Sequence, residues 1–92
     1  MPQATILARY QGMVQGVGFR ATSRRLAQSY ALKGWVKNES DGSVSLLVHG
    51  EAAEVQAFLQ DIRDSRLGPG IEREELEPQN HGGPWPAFGV LP

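Results

Sequence analysis

Gly12-Met13-Val14-Gln15-Gly16-Val17-Gly18-Phe19-Arg20 is the stretch on which the reading of this chain turns. It sets three glycines among apolar residues directly after a strand-like segment, and it ends on an arginine where a helical pattern begins. Glycine adopts backbone conformations closed to other residues, so a loop this rich in it can curl and aim successive N–H groups into one anion-binding concavity. A helix N-terminus beside the loop adds its dipole, and the Arg20 guanidinium adds a bidentate fork for a phosphate-sized ligand. The same residues also describe a tight strand-to-helix connection followed by a surface arginine, and composition alone leaves both readings open.

Working outward, Thr5 to Tyr10 alternates before the loop, with Ile6, Ala8 and Tyr10 on one side and Thr5, Leu7 and Arg9 on the other, which predicts a first strand. After the loop, Phe19, Thr22, Ser23, Leu26, Ala27 and Tyr30 recur at helical spacing, while Arg24, Arg25 and Gln28 take the opposite side. A helix from Phe19 to Tyr30 is expected. Lys33 to Asn38 reads as a second strand, Asp41-Gly42 as a turn, and Val44, Leu46 and Val48, alternating with Ser43, Ser45 and His49, as a third strand closing a hairpin. Beyond Gly50, Val55, Phe58, Leu59 and Ile62 define a second helix, with Glu51 and Glu54 in its first turn and Arg63 near its end, as the helix dipole prefers. Leu67-Gly68-Pro69-Gly70 stops it. Ile71 and Leu76 are five apart, which breaks a period of two, so Ile71 to Glu77 is read as a charged edge strand with a bulge. Pro78 to Pro86 is a loop, and Phe88 to Leu91 a last short strand.

The order strand-helix-strand-strand-helix-strand, with that final strand, predicts an α+β fold of the ferredoxin-like, split βαβ type: two helices on one face of an antiparallel sheet, as a single domain over residues 1–92. Right-handed crossovers place the first strand beside the third in the centre of the sheet. The second strand then runs parallel to the first, so Asn38 at its end should lie at the same edge of the sheet as the glycine loop.

Composition narrows the function. No cysteine is present, which removes disulfides and thiolate metal sites and fits a reducing compartment. No apolar run nears the roughly 18 residues that span a bilayer, and the N-terminus lacks the basic and apolar regions of a signal peptide; a soluble, cytoplasmic protein with no membrane contact is expected. The formal charge of −1 hides an asymmetry: residues 1–40 carry six basic residues against one acid, residues 41–92 three against nine. A basic half around the loop would attract a small anion. Nucleic acid is not expected as a partner, because the second half is acidic and there is no aromatic run of the kind that stacks bases.

The run VQGVGFR from Val14 to Arg20, followed by GWVKN from Gly34 to Asn38 and DGSV from Asp41 to Val44, resembles the acylphosphatases. The resemblance extends over nearly the whole chain. It implies a small hydrolase of acyl phosphates that uses no metal and no other cofactor, releasing a carboxylate and inorganic phosphate, and acting as a monomer. It also implies roles: Arg20 binds phosphate, Asn38 orients the attacking water, and the backbone N–H groups of Gln15, Gly16, Val17, Gly18, Phe19 and Arg20 form the phosphate cradle. Inorganic phosphate or sulfate would be able to occupy such a site. Two departures from the family pattern stand out. Ala31 replaces the glycine often found before Leu-x-Gly-Trp, which points to a different helix cap or local strain, and the end Phe88 to Pro92 lacks a charged residue, which points to a less regular last strand. Acylphosphatase-like domains also occur in larger maturation factors that handle carbamoyl phosphate, so a non-catalytic module binding a carboxyl or carbamoyl phosphate is the alternative; a chain of 92 residues counts against it.

Other conspicuous residues read as structural. Trp35 is expected in core or rim packing. His49 and His81 form no metal-ligand pattern. Arg24 and Arg25 are expected on a solvated helix face, and Glu72, Glu74, Glu75 and Glu77 as protection of a sheet edge.

Overall fold

In the computed structural model, which describes residues 2–80 and 83–92, alternation decides the first strand. β1 (Gln3–Gly12) turns Ala8 and Tyr10 inward, both fully buried, while Arg9 between them is exposed. α1 (Phe19–Ala27) follows the glycine loop, then β2 (Lys33–Asn38), β3 (Val44–Glu51), α2 (Ala52–Asp64), a single 3-10 turn at Gly68–Gly70, β4 (Ile71–Pro78) and β5 (Gly89–Val90). The sheet order is β4-β1-β3-β2-β5. β1 and β3 are the antiparallel central pair, and β2 pairs antiparallel with the other side of β3, as the crossover rule requires.

Both helices close over one face of this sheet. Phe19 and Ala27 of α1 and Val55, Phe58, Leu59 and Ile62 of α2 join Ala8, Tyr10, Val36, Val44, Leu46 and Val48 in one core cluster. Each fully buried large side chain there contributes about 1.5–3 kcal/mol through removal from water. The opposite face carries cross-strand pairs instead. Trp35 stands beside Leu47, half-buried, with the Lys37 ammonium 5.3 Å from its ring centre, which is the rim packing expected of it. Thr5 Oγ1 and His49 Nδ1 are 2.7 Å apart across the β1–β3 ladder. His81 lies outside the described residues.

The boundaries differ from expectation in physically legible ways. The first helix was expected to reach Tyr30 but ends at Ala27, because the N–H groups of Gln28, Ser29 and Tyr30 tighten onto carbonyls three residues back. Ala31 is not strained, since no described non-glycine residue has positive φ, and its N–H donates to Glu54 Oε1 at 3.0 Å, so α2 caps the turn that glycine would otherwise make. The sheet is antiparallel through four strands, but the short β5 runs parallel to β2, making the whole sheet mixed. β4 is the edge strand and carries the expected bulge: Gln11 pairs with Arg73 and Gly12 with Ile71, so Glu72 is the extra residue. Glu74 keeps phase with Leu76 on the inward side, pairs with Tyr10 in register and accepts from Arg63 Nε of α2 at 2.9 Å. Burial, with the Glu74 carboxylate nearby, pushes the Tyr10 phenol well above its ordinary value.

Candidate active site

The loop and its helix meet the end of β2 in one cavity of about 290 Å³, walled by Val14, Gly16, Gly18, Phe19, Arg20, Ala21, Asn38 and Val90. Two strand ends explain the meeting. Val44 is paired with Tyr10 on one side and with Asn38 on the other, so the chain leaves β1 at Gly12, two residues past the level of the last residue of β2. Asn38 is half-buried, and its carboxamide makes no hydrogen bond to another described residue.

The loop's main chain is equally uncommitted. Among the described residues, the N–H groups of Gln15 to Arg20 donate to no protein acceptor; the next paired amide is Thr22, whose N–H reaches the Gly18 carbonyl at 2.9 Å. Gly16 and Gly18 have φ of 76° and 79°, and at Gly18 this left-handed conformation is the N-cap of α1. No acidic residue occupies the first turn of α1, so nothing there neutralises the positive end of the helix dipole. A string of free donors, a bare helix N-terminus and the Arg20 guanidinium therefore share one wall.

Two devices hold this arrangement. The Gln15 carboxamide donates from Nε2 to the carbonyls of Glu39 and Ser43, each at 2.8 Å, tying the loop to the turn that follows Asn38. Arg20 Nη1 donates to the Leu91 carbonyl at 3.1 Å, and Leu91 N–H in turn donates to Val36 O at 2.8 Å, so the C-terminal segment steadies the guanidinium against β2. The turn itself is knotted by Asp41, whose carboxylate accepts from the Ser43 hydroxyl and N–H and from Arg9. The Ser43 hydroxyl and then its N–H, with Arg9 adding to them, hold the Asp41 carboxyl below its ordinary value.

Of the residues expected from the sequence, Arg20 and Asn38 stand in the cavity wall together with Gly16, Gly18 and Phe19. Gln15 and Val17 belong to the loop but not to that wall. Arg24 and Arg25 are exposed on α1. Among the described residues no three His, Asp or Glu side chains converge in a way that could hold a metal ion, and no helix is long and apolar enough to cross a membrane. Sequence reasoning missed Arg66, which follows α2 and donates from Nη1 to the Val17 carbonyl at 2.8 Å and from Nη2 to Thr22 Oγ1 at 3.1 Å. It also missed the lashing role of the Gln15 side chain. Neither has a local signature, because both partners are remote in sequence.

Comparison with known proteins gives a consistent picture. The family model described as Acylphosphatase matches residues 7–88. An acylphosphatase of Paenarthrobacter aurescens is 36% identical over 86 residues, which is 94% of this chain and 92% of that protein. One from Mesorhizobium japonicum is 42% identical over 72 residues, 78% of this chain and 77% of its own. The crystal structure of acylphosphatase from Bacillus subtilis matches with a TM-score of 0.87 at 27% identity, covering 96% of this chain and 98% of that one. Full-length HypF, solved in a phosphate- and nucleotide-bound form, matches at a TM-score of 0.83 and 25% identity over 99% of this chain but 12% of its own length.

Proposed function

Because the chain belongs to the acylphosphatase family, and so hydrolyses acyl phosphates to a carboxylate and inorganic phosphate, we propose that Arg20 and the loop amides bind the phosphoryl group while Asn38 aims the water that attacks it. The observation that carries this reading is the shared cavity: Arg20, Gly16, Gly18 and Phe19 form one side and the uncommitted Asn38 carboxamide another. The chemistry asks for little more. The leaving carboxylate has a conjugate acid of pKa about 4, so it departs without a general acid. What the protein supplies is position and charge, which dominate phosphoryl transfer.

In the step itself, the water oxygen forms a bond to phosphorus as the bond from phosphorus to the carboxyl oxygen breaks, and the electron pair leaves with the carboxylate. The Asn38 carbonyl accepts one water hydrogen and its NH₂ donates, so the water is oriented without a strong base. The other water proton passes to a phosphoryl oxygen of the substrate. Negative charge on the equatorial oxygens is met by the amides of Gln15 to Arg20, the N-terminus of α1 and the Arg20 fork. Inorganic phosphate, and sulfate by the same shape and charge, compete for this cradle. The protein works this way as a monomer in the cytoplasm, a setting supported by its lack of cysteine and by the charged edge strand β4.

Phosphate release from a simple acyl phosphate, measured with a chelator present, tests the reading. Arg20→Ala is expected to abolish measurable release. Arg20→Lys is expected to fail as well, because a point charge does not reproduce the planar fork. Full activity in either variant rejects the assignment. The second reading is a non-catalytic module that binds a carboxyl or carbamoyl phosphate; what favours it is the likeness to HypF, solved in a phosphate- and nucleotide-bound form, of which this chain covers 12%. Phosphate binding without release from any acyl phosphate tried would favour that one.

A further inference from the structure

Arg66 is absent from the cavity wall, yet both ends of its guanidinium engage the loop and helix that build that wall. Nη1 takes the Val17 carbonyl at 2.8 Å. That carbonyl and the Gly18 N–H belong to one planar trans peptide, in which they point in opposite directions. A cation that draws the carbonyl to one side turns the N–H to the other and polarises it as a donor. Gly18 lines the cavity and Val17 does not, so the guanidinium grips this peptide from behind.

Two further contacts fit the same picture. A Cβ at Gly18 would stand 2.8 Å from Arg66 Nη2, so the missing side chain is what lets the guanidinium lie against the loop. Nη2 meanwhile donates to Thr22 Oγ1, and the Thr22 N–H donates to the Gly18 carbonyl. One side chain, arriving from 49 and 44 residues away, thus bridges the last loop peptide and the first turn of α1.

We propose that Arg66 is a positioning residue of the phosphate loop: by holding the Val17–Gly18 peptide and Thr22 from outside the cavity, it aims the Gly18 N–H and the N-terminus of α1 at the phosphoryl group. The inference rests on the reading of the site given above. It requires the fork and not merely the charge, because an ammonium has no planar pair of nitrogens with which to span two acceptors.

The test follows the Gly18 amide resonance during titration with inorganic phosphate, alongside KM, kcat and thermal midpoint, in the wild type and in Arg66→Gln, Arg66→Lys, Thr22→Val and Arg20→Ala. Phosphate should move the wild-type Gly18 amide proton downfield. Both Arg66 variants should halve that movement or more, weaken phosphate about tenfold and raise KM similarly, with kcat changed by less than about threefold. Thr22→Val, which removes one end of the bridge, should weaken phosphate about threefold and serves if an Arg66 variant does not fold. A purely structural role would lower the thermal midpoint while leaving the Gly18 response and phosphate affinity of the folded chain intact, and that result overturns the proposal. So does an Arg66→Lys variant that binds phosphate within about twofold of wild type, since charge alone would then suffice. Loss of binding in Arg20→Ala beside unaffected Arg66 variants sinks only this inference; unaffected binding and turnover in Arg20→Ala sinks the reading of the site beneath it.

Discussion

Tyr10 and Asn38 are level with one another across β3, each paired with Val44 from its own side. The level is set by hydrogen-bond register, so the carboxamide at position 38 meets the loop leaving β1 without any flexible segment having to find it. In the proposed reading, position 38 contributes orientation in the reaction and little to binding. Asn38→Ala is expected to lower kcat about 10²-fold or more while leaving the dissociation constant of inorganic phosphate nearly unchanged. Steady-state kinetics with phosphate as competitive inhibitor separates the two, and parallel losses in both would contradict the assigned role.

The local part of this arrangement was legible in the sequence. Alternation at Ile6, Ala8 and Tyr10 and helical spacing from Phe19 onward bracket the loop, and two short-range rules, strand alternation and crossover handedness, were enough to bring Asn38 to the same edge. What stayed hidden was set by contacts remote in the chain. On β4 the extra residue Glu72 shifts the phase between Ile71 and Leu76, and the inward position between them is held by an acid, Glu74, paired with Arg63 of another element, so apolar periodicity is interrupted twice. The direction of β5 depends on two residues of pairing with β2, too few to leave a periodic trace. Arg66 sits in the acidic half of the chain, apart in sequence from the basic residues around the loop, and its partners Val17 and Thr22 give no spacing to read.

Gln15 offers a test of how the loop is lashed in place. Its Nε2 serves two carbonyls, those of Glu39 and Ser43. Gln15→Glu replaces a two-hydrogen donor by an acceptor facing both carbonyls, and it adds a negative charge to the loop proposed to receive phosphate. Both carbonyls keep a main-chain donor, Ser43 O from the Glu39 N–H and Glu39 O from the Gly42 N–H. Stability should therefore fall by only about 1–3 kcal/mol for the two lost side-chain hydrogen bonds, and KM should rise more than in Gln15→Leu, which loses the donors but brings no charge. Urea denaturation gives the first quantity and acyl phosphate kinetics the second. Equal KM values in the two variants would show that repulsion plays no part.

Acid sensitivity should centre on the turn between β2 and β3. The folded-state value of Asp41 lies below its ordinary one, chiefly through the Ser43 hydroxyl and N–H. A lowered folded value means that the contribution is fully present above the unfolded carboxylate value of about 4 and is lost as pH falls below that, through the folded value. The wild type should therefore lose stability over this acid range, with Asp41→Asn showing a shallower decline there. Thermal midpoints taken from pH 6 downward check this, and curves of equal slope would remove Asp41 from the acid limb.

Gly34 and Gly42 have φ of 131° and 92°, so an L side chain is strained at either. Their surroundings differ. A Cβ at Gly42 meets nothing within 4 Å, whereas one at Gly34 would lie 1.9 Å from the Leu47 carbonyl oxygen. Gly42→Ala should therefore cost only the backbone term, about 1–2 kcal/mol. Gly34→Ala adds a clash with main chain that can be relieved only by pushing β2 away from β3, and its cost should exceed about 3 kcal/mol. The same displacement would carry Asn38, four residues along β2, out of level with Tyr10. Any folded Gly34→Ala protein should then lose turnover out of proportion to its loss of folded population, while Gly42→Ala keeps a normal kcat per folded molecule. Denaturation curves combined with kcat corrected for the folded fraction decide the matter, and a normal corrected kcat in Gly34→Ala would mean that the pairing of β2 with β3 is not what places the carboxamide.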